Sequence, residues 1–180
     1  MSKVYFISDL HLGHRNILKY RPEFASIEEH DNTIFDNIMS LANKRNSLWI
    51  LGDITFERGE SNKYYNMLKT ISDSFDSLNV VIGNHDSDNS YRQQLLLDLW
   101  KDGVYSKVHS LVGYKDAWLT HCPIHPEEIR NKKMVVHGHT HNFVVDDPRY
   151  FSVCCEQVDY TPINFQVIKE IVRNRTCQNT

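Results

Sequence analysis

At 180 residues the chain is long enough to bury one sizeable core, and it reads as a single domain over residues 1–180. A formal net charge of −3 excludes a general electrostatic pull on nucleic acid or an anionic membrane surface, and the short basic runs (Lys44-Arg45, Lys132-Lys133, Arg173 to Arg175) read as solvated faces. No apolar run approaches the length of a bilayer, and Cys122, Cys154, Cys155 and Cys177 show no C-x-x-C spacing, so reduced thiols and a cytoplasmic location are expected, with no disulfide framework or zinc ribbon.

The opening MSKVYFISDL reads as a first strand that stops at Asp9 rather than as a signal peptide. Ile27, Ile34, Ile38, Leu41 and Ala42 then share one helical face, which predicts a helix from Ile27 to Lys44. SLWIL is strand-like and ends at Gly52-Asp53; residues 62–72 repeat the helical period; LNVVI is strand-like and ends at Gly83-Asn84. A third helix is expected from Tyr91 to Trp100, followed by the strands DAWLT, ending at His121, and KKMVV, ending at His137-Gly138. Thr161-Pro162 looks like a cap with proline at the first helical position, so Ile163 to Arg173 reads as a closing helix, although Asn164 to Ile168 also fits a strand. Strands alternating with helices predict an α/β architecture whose functional residues gather where strands end.

Five of these strand ends carry Asp, His or Asn. In an extended segment residues two apart point to one side, so Asp9 with His11, and His139 with His141, can each present two donors to one locus. Gly52, Gly83 and Gly138 permit the tight turns that deliver Asp53, Asn84 and His139. Two carboxylates, one amide oxygen and four imidazoles are too many donors for one ion and suit two. Oxygen and nitrogen donors without thiolate favour manganese, iron, zinc, nickel or cobalt over calcium or copper(I).

The ordered series Asp9-Leu10-His11, Gly52-Asp53, Gly83-Asn84-His85-Asp86, His121 and Gly138-His139-Thr140-His141 resembles the calcineurin-like metallophosphoesterase superfamily, and SDLHLGHRNIL with the small size is similar to its stand-alone bacterial and phage members. The resemblance implies a four-layer α/β/β/α sandwich of two mixed β-sheets with helices outside. It implies two divalent ions, manganese first among them: Asp9, His11 and His141 would hold one, Asn84, His121 and His139 the other, and Asp53 would bridge them. The implied reaction is hydrolysis of a phosphodiester or nucleotide-type phosphate by a hydroxide shared between the ions. His85 is the candidate general acid, with Asp86 as the carboxylate that orients it.

Outside that set, His14, Arg15 and Asn16 are candidates for substrate contact, His14 being equally readable as a cap of the following turn. His137, His30, His109 and His125 read as packing or solvated histidines, and Cys122 as a buried small residue rather than a ligand. Arg21, Arg58, Arg92 and Arg130 lie in loops where they could clamp a phosphate, and Tyr20, Phe24, Phe56 and Tyr91 could stack on a base. A small phosphorylated substrate is expected; a membrane partner is not, and extended nucleic acid is disfavoured. Three alternatives stand beside the phosphodiesterase: a phosphomonoesterase, a nuclease of the same superfamily, which the acidic balance opposes, and a metal-stabilised binding module, which an intact His85 and Asp86 oppose.

Overall fold

The computed structural model describes residues 2–56 and 62–178. In chain order the elements are β1 (Val4–Ile7), α1 (Ile27–Ser40), β2 (Ser47–Ile50), α2 (Lys63–Ser72), β3 (Ser77–Val81), α3 (Ser90–Lys101), β4 (Lys107–His109), β5 (Leu111–Tyr114), β6 (Ala117–Thr120), β7 (Met134–His137), β8 (Tyr150–Ser152), β9 (Ile163–Asn164) and α4 (Phe165–Gln178). They build two mixed sheets, ordered β4-β3-β2-β1-β9 and β5-β6-β7-β8. β1 to β4 run parallel with β9 antiparallel at the edge; β6 to β8 run parallel with β5 antiparallel at the edge.

Alternation along the strands decides which face meets which layer, because successive side chains point to opposite sides. Tyr5, Ile7, Leu48, Ile50, Leu78 and Val80 face Ile34 and Ile38 of α1, Leu68 and Ile71 of α2, and Leu99 of α3. The intervening Phe6, Trp49 and Val81 face the other way, onto Ala117, Leu119, Met134, Val136 and Phe151 of the second sheet. Phe165, Ile168 and Val172 of α4 complete this inter-sheet core. The outer face of the second sheet is covered more thinly: Val135 and Tyr150 pack with Ile129 of a 3-10 turn at Pro126–Ile129. This is the two-sheet α/β arrangement expected from the motif series.

The elements differ from expectation at their ends and edges. α1 stops at Ser40 rather than Lys44, because Asn43 closes a turn in which its side chain accepts from Arg45 N (2.9 Å) and its carbonyl from Asn46 N (2.8 Å). Ile163–Asn164 pairs with Phe6 and Tyr5 as an edge strand, and the closing helix begins only at Phe165. β4, β5 and β8 were not predicted; β4 and β8 have three residues each and β5 is an exposed edge, so none carries a buried alternating run.

Candidate metal centre

The C-terminal ends of β1, β2, β3, β6 and β7 converge, and the segments leaving them carry all seven proposed ligands. The two sheets are stitched at this end: Ser8 N donates to Val153 O (2.8 Å) and Cys155 N to Ser8 O (3.1 Å). Asp9, His11 and His141 form one group of donor atoms lying within 4.8 Å of one another, and Asp9, Asp53 and His121 form another. Nε2 of His11 and of His141 stand 3.9 and 3.8 Å from Asp9 Oδ1. On the other side Asn84 Oδ1 lies 2.9 Å from His121 Nε2 and 3.0 Å from His139 Nδ1. Asp53 Oδ2 reaches both clusters, 3.7 Å from His11 Nε2 and 3.4 Å from His121 Nε2. Two donors each about 2.1 Å from one ion stand about 3 to 3.8 Å apart, so these separations suit shared cations.

The pairs are not delivered by extended strand. Asp9 (φ 58°), His11 (φ 49°), Asp53 (φ 53°), His139 (φ 70°) and His141 (φ 47°) all lie in the left-handed region, which costs a residue with a side chain about 1–2 kcal/mol. The expectation that spacing of two on an extended backbone aims Asp9 with His11, and His139 with His141, is corrected: alternate left-handed residues turn the side chains inward. Backbone bonds hold the loops in place, Asp9 N to Gly52 O and His11 N to Asp53 O (both 3.0 Å). Glycines supply the clearance. A Cβ on Gly83 would stand 2.3 Å from Asp53 Oδ1, and one on Gly138 1.9 Å from Ser8 Oγ and 2.6 Å from Asp9 Oδ2.

The donor set fits divalent cations on its own polar bookkeeping. Asp9 Oδ1 and both ring nitrogens of His11 are buried without a hydrogen-bond partner among the described residues, which is costly unless a cation meets them. Asp9 Oδ2, by contrast, accepts from Ser8 Oγ (2.6 Å), His139 N (2.9 Å) and Cys154 Sγ (3.2 Å). Burial pushes the His11 pKa down to about 2 against the pull of Asp53, so its ring is neutral and its lone pair available. Burial also opposes charge on His121, but its hydrogen bond to Asp53 and the field of that carboxylate outweigh this and raise it to about 9. The same contact overcomes burial and holds Asp53 down at about 2. A proton on His121 thus neutralises charge where a cation would.

His85 stands beside this cluster, its ring centroid 5.8 Å from that of His11 and its N–H donating to Asp53 Oδ1 (2.9 Å). The carboxylate on its imidazole is Asp88, whose Oδ2 is 3.0 Å from His85 Nδ1. Asp86, assigned that role from the motif, is corrected. It is buried and accepts from Asp53 N (2.9 Å), Ile54 N (2.8 Å) and Gly83 N (2.7 Å), tying the β2 and β3 loops together. Asp88 was missed because only the i,i+3 geometry of the turn brings it back to His85. Arg92 Nε in turn holds Asp88 Oδ1 (2.9 Å), and its guanidinium carbon lies 4.4 Å from the Phe56 ring centre.

His14, Arg15 and Asn16 line an open hollow of about 600 Å³ with Phe56, Lys63 and Tyr64. His14 takes the N-cap position of the 3-10 turn Arg15–Lys19 without a side-chain cap bond, and its ring stacks on Phe56 at 3.8 Å. Arg21 is fully buried and Arg92 nearly so, which removes both as solvent-facing phosphate clamps; Arg130 is exposed and paired to Glu128 (2.7 Å). Arg58 lies outside the described residues. Cys122 is exposed rather than buried, its thiol within 4.8 Å of donor atoms of His121 and His139. His137 and His30 are buried, while His125 accepts from Glu127 N (3.4 Å).

Comparison with known proteins agrees with the geometry. The family description "calcineurin-like phosphoesterase superfamily domain" matches residues 2–154. The chain is 30% identical over 167 residues to the Gene 66 protein of Mycobacterium phage L5, covering 79% of each. It is 26% identical over 181 residues to MJ1445 of Methanocaldococcus jannaschii, covering 96% of this chain and 92% of that one. The crystal structure of AQ665 from Aquifex aeolicus shares the fold, with a TM-score of 0.71 at 24% identity over 95% of this chain and all of that one. With the family matched across most of its length, this chain belongs to the calcineurin-like phosphoesterase superfamily.

Proposed function

We propose that the protein is a hydrolase of small phosphodiesters or nucleotide-type phosphates that works with two divalent cations, manganese foremost. The observation that carries this reading is the pair of donor clusters joined by one carboxylate, Asp53 Oδ2, with His85 at their edge. Asp9, His11 and His141 would hold one ion, Asn84, His121 and His139 the other, and Asp53 both. When bound, two such ions supply the positive charge that acidifies water and neutralises phosphoryl oxygens.

The chain's own groups do the rest. His85 Nδ1 is engaged by Asp88, so Nε2 is the atom that carries a proton toward the leaving oxygen. Arg92 keeps Asp88 from turning away, and the Phe56 ring, its centre 4.6 Å from that of His85, packs against the imidazole while the His85–Asp88 pair stays open to solvent. Arg15, Asn16 and Lys63 offer donors in the adjoining hollow, and the His14–Phe56 stack offers a flat face. The hollow suits a compact substrate, and the formal net charge of −3 disfavours extended nucleic acid.

The test is a hydrolysis panel with added manganese: an aryl phosphomonoester, an aryl phosphodiester, cyclic nucleotides and single-stranded oligonucleotides. Turnover of the diester or cyclic nucleotides, abolished by Asp53→Asn and His85→Ala in folded protein, is the expected result. A preference for the monoester or the oligonucleotide would replace the substrate class, and no turnover of any would leave a metal-stabilised binding module.

A further inference from the structure

Arg21 has no solvent exposure, and the reaction outlined above does not use it. Burying a guanidinium is costly unless its donors are met, and here they are met at the back of the metal centre. Nη2 donates to Asp9 O (2.7 Å) and Nη1 to Leu10 O (3.3 Å). These carbonyls belong to the two peptide units that join the left-handed residues Asp9 and His11 through Leu10. Nη1 also contacts His30 Nε2 (2.7 Å), whose other ring nitrogen meets Asp31 (2.8 Å). Asp31 accepts in turn from Gly13 N (3.1 Å), just beyond His11. The remaining edge of Arg21 faces Glu156, 135 positions away in the chain, with Nε and Nη2 at 2.9 and 2.8 Å from Oε1. That oxygen also meets His141 Nδ1 (2.9 Å), which leaves Nε2 of His141 turned to Asp9 Oδ1.

We infer that Arg21 and Glu156 are positioning residues for the metal held by Asp9, His11 and His141, joining the loop after β1 to the loop after β7 so that three donors from distant sequence face one ion. The inference rests on the two-metal reading above. The hydrogen bonds of Arg21 and Glu156 run to Asp9, Leu10, His30 and His141 and not to Asn84, His121 or His139, so the pair bears directly on this ion and reaches the second only through the shared Asp53 and the Asp9–His139 contact. A carboxylate on the far nitrogen of a ligating histidine fixes its ring and raises its basicity, and its loss costs about 10- to 100-fold in metal affinity. Arginine suits the inner position because its planar fork reaches two carbonyls and a carboxylate at once, which a lysine point charge cannot do.

The experiment is calorimetric titration of manganese into the metal-free protein, alongside thermal unfolding of the same samples. Wild type should take up two equivalents. Glu156→Gln, close in size to the native residue, and Arg21→Lys should weaken one equivalent about 10- to 100-fold and the other far less. A purely structural role would instead weaken both together. Where Glu156→Ala or Arg21→Met fails to fold, the conservative variants decide. Wild-type affinity for both equivalents in Glu156→Gln, or equal loss of both, would overturn the inference. Wild type that takes up no manganese would overturn the two-metal reading first, and this inference with it.

Discussion

Asp9, His11, Asp53, His139 and His141 adopt a backbone conformation that side chains ordinarily avoid, and the glycines beside them leave no room for a methyl group. Gly138→Ala should therefore destabilise the protein by about 1–3 kcal/mol through overpacking against Ser8 and Asp9, seen as a lower midpoint in urea, and should weaken manganese binding as well. Asp53→Asn removes the charge shared by both clusters; a loss of about 4 kcal/mol of transition-state stabilisation, roughly a thousandfold in kcat, is expected in manganese-supported hydrolysis. His85→Ala should lower kcat about 10²- to 10⁴-fold with manganese content intact. Asp88 and Asp86 separate two roles that the motif merges. Asp88→Asn should reduce kcat and also cost stability, because it leaves the nearly buried Arg92 guanidinium without its carboxylate, whereas Asp86→Asn, which weakens a buried carboxylate's grip on three N–H groups, should act mainly on stability, lowering it by about 1–3 kcal/mol.

α1 shows how an element is set by its sequence. Ser26 caps it by accepting from Glu29 N (3.1 Å), Glu29 reaches back to Ala25 N (2.7 Å), and Ile34 and Ile38 face the first sheet. Ser26→Ala should cost about 1 kcal/mol in chemical unfolding. A drop in turnover larger than the change in stability would show that α1 conveys more than packing. Central strands and amphipathic helices were legible because each repeats one period over several residues. β4, β5, β8 and β9 were not: two to four residues at an edge, paired on one side or short of a buried face, leave no period to read. Ile163–Asn164 is a strand only because β1 offers it an unpaired edge.

For the whole molecule, the two sheets meet at the end where the candidate ligands gather, so cations held there would link occupancy of the site to stability of the fold. Manganese at about 100 times its dissociation constant should stabilise the folded chain by about 2.7 kcal/mol per site, and a chelator should reverse this. In a chain of this size that amounts to a shift of about 5–10 °C in Tm, measurable by calorimetry with and without chelator. An unchanged Tm would argue against bound cations. Among the described residues no helix is long and apolar enough to cross a membrane.

By itself, the sequence determined the α/β class, the order of the central strands and helices, and a set of candidate donors, because periodicity and strand-end chemistry are local properties written in consecutive residues. The tertiary structure alone decided how those donors are aimed and held. Left-handed turns replaced extended pairs, Asp88 took the place of Asp86 on His85, and Arg21 moved from a candidate clamp in solvent to a buried strut against Glu156. Each of these depends on contacts between segments far apart in the chain or on a turn's three-dimensional path, and neither residue type nor spacing encodes which oxygen a buried N–H will meet.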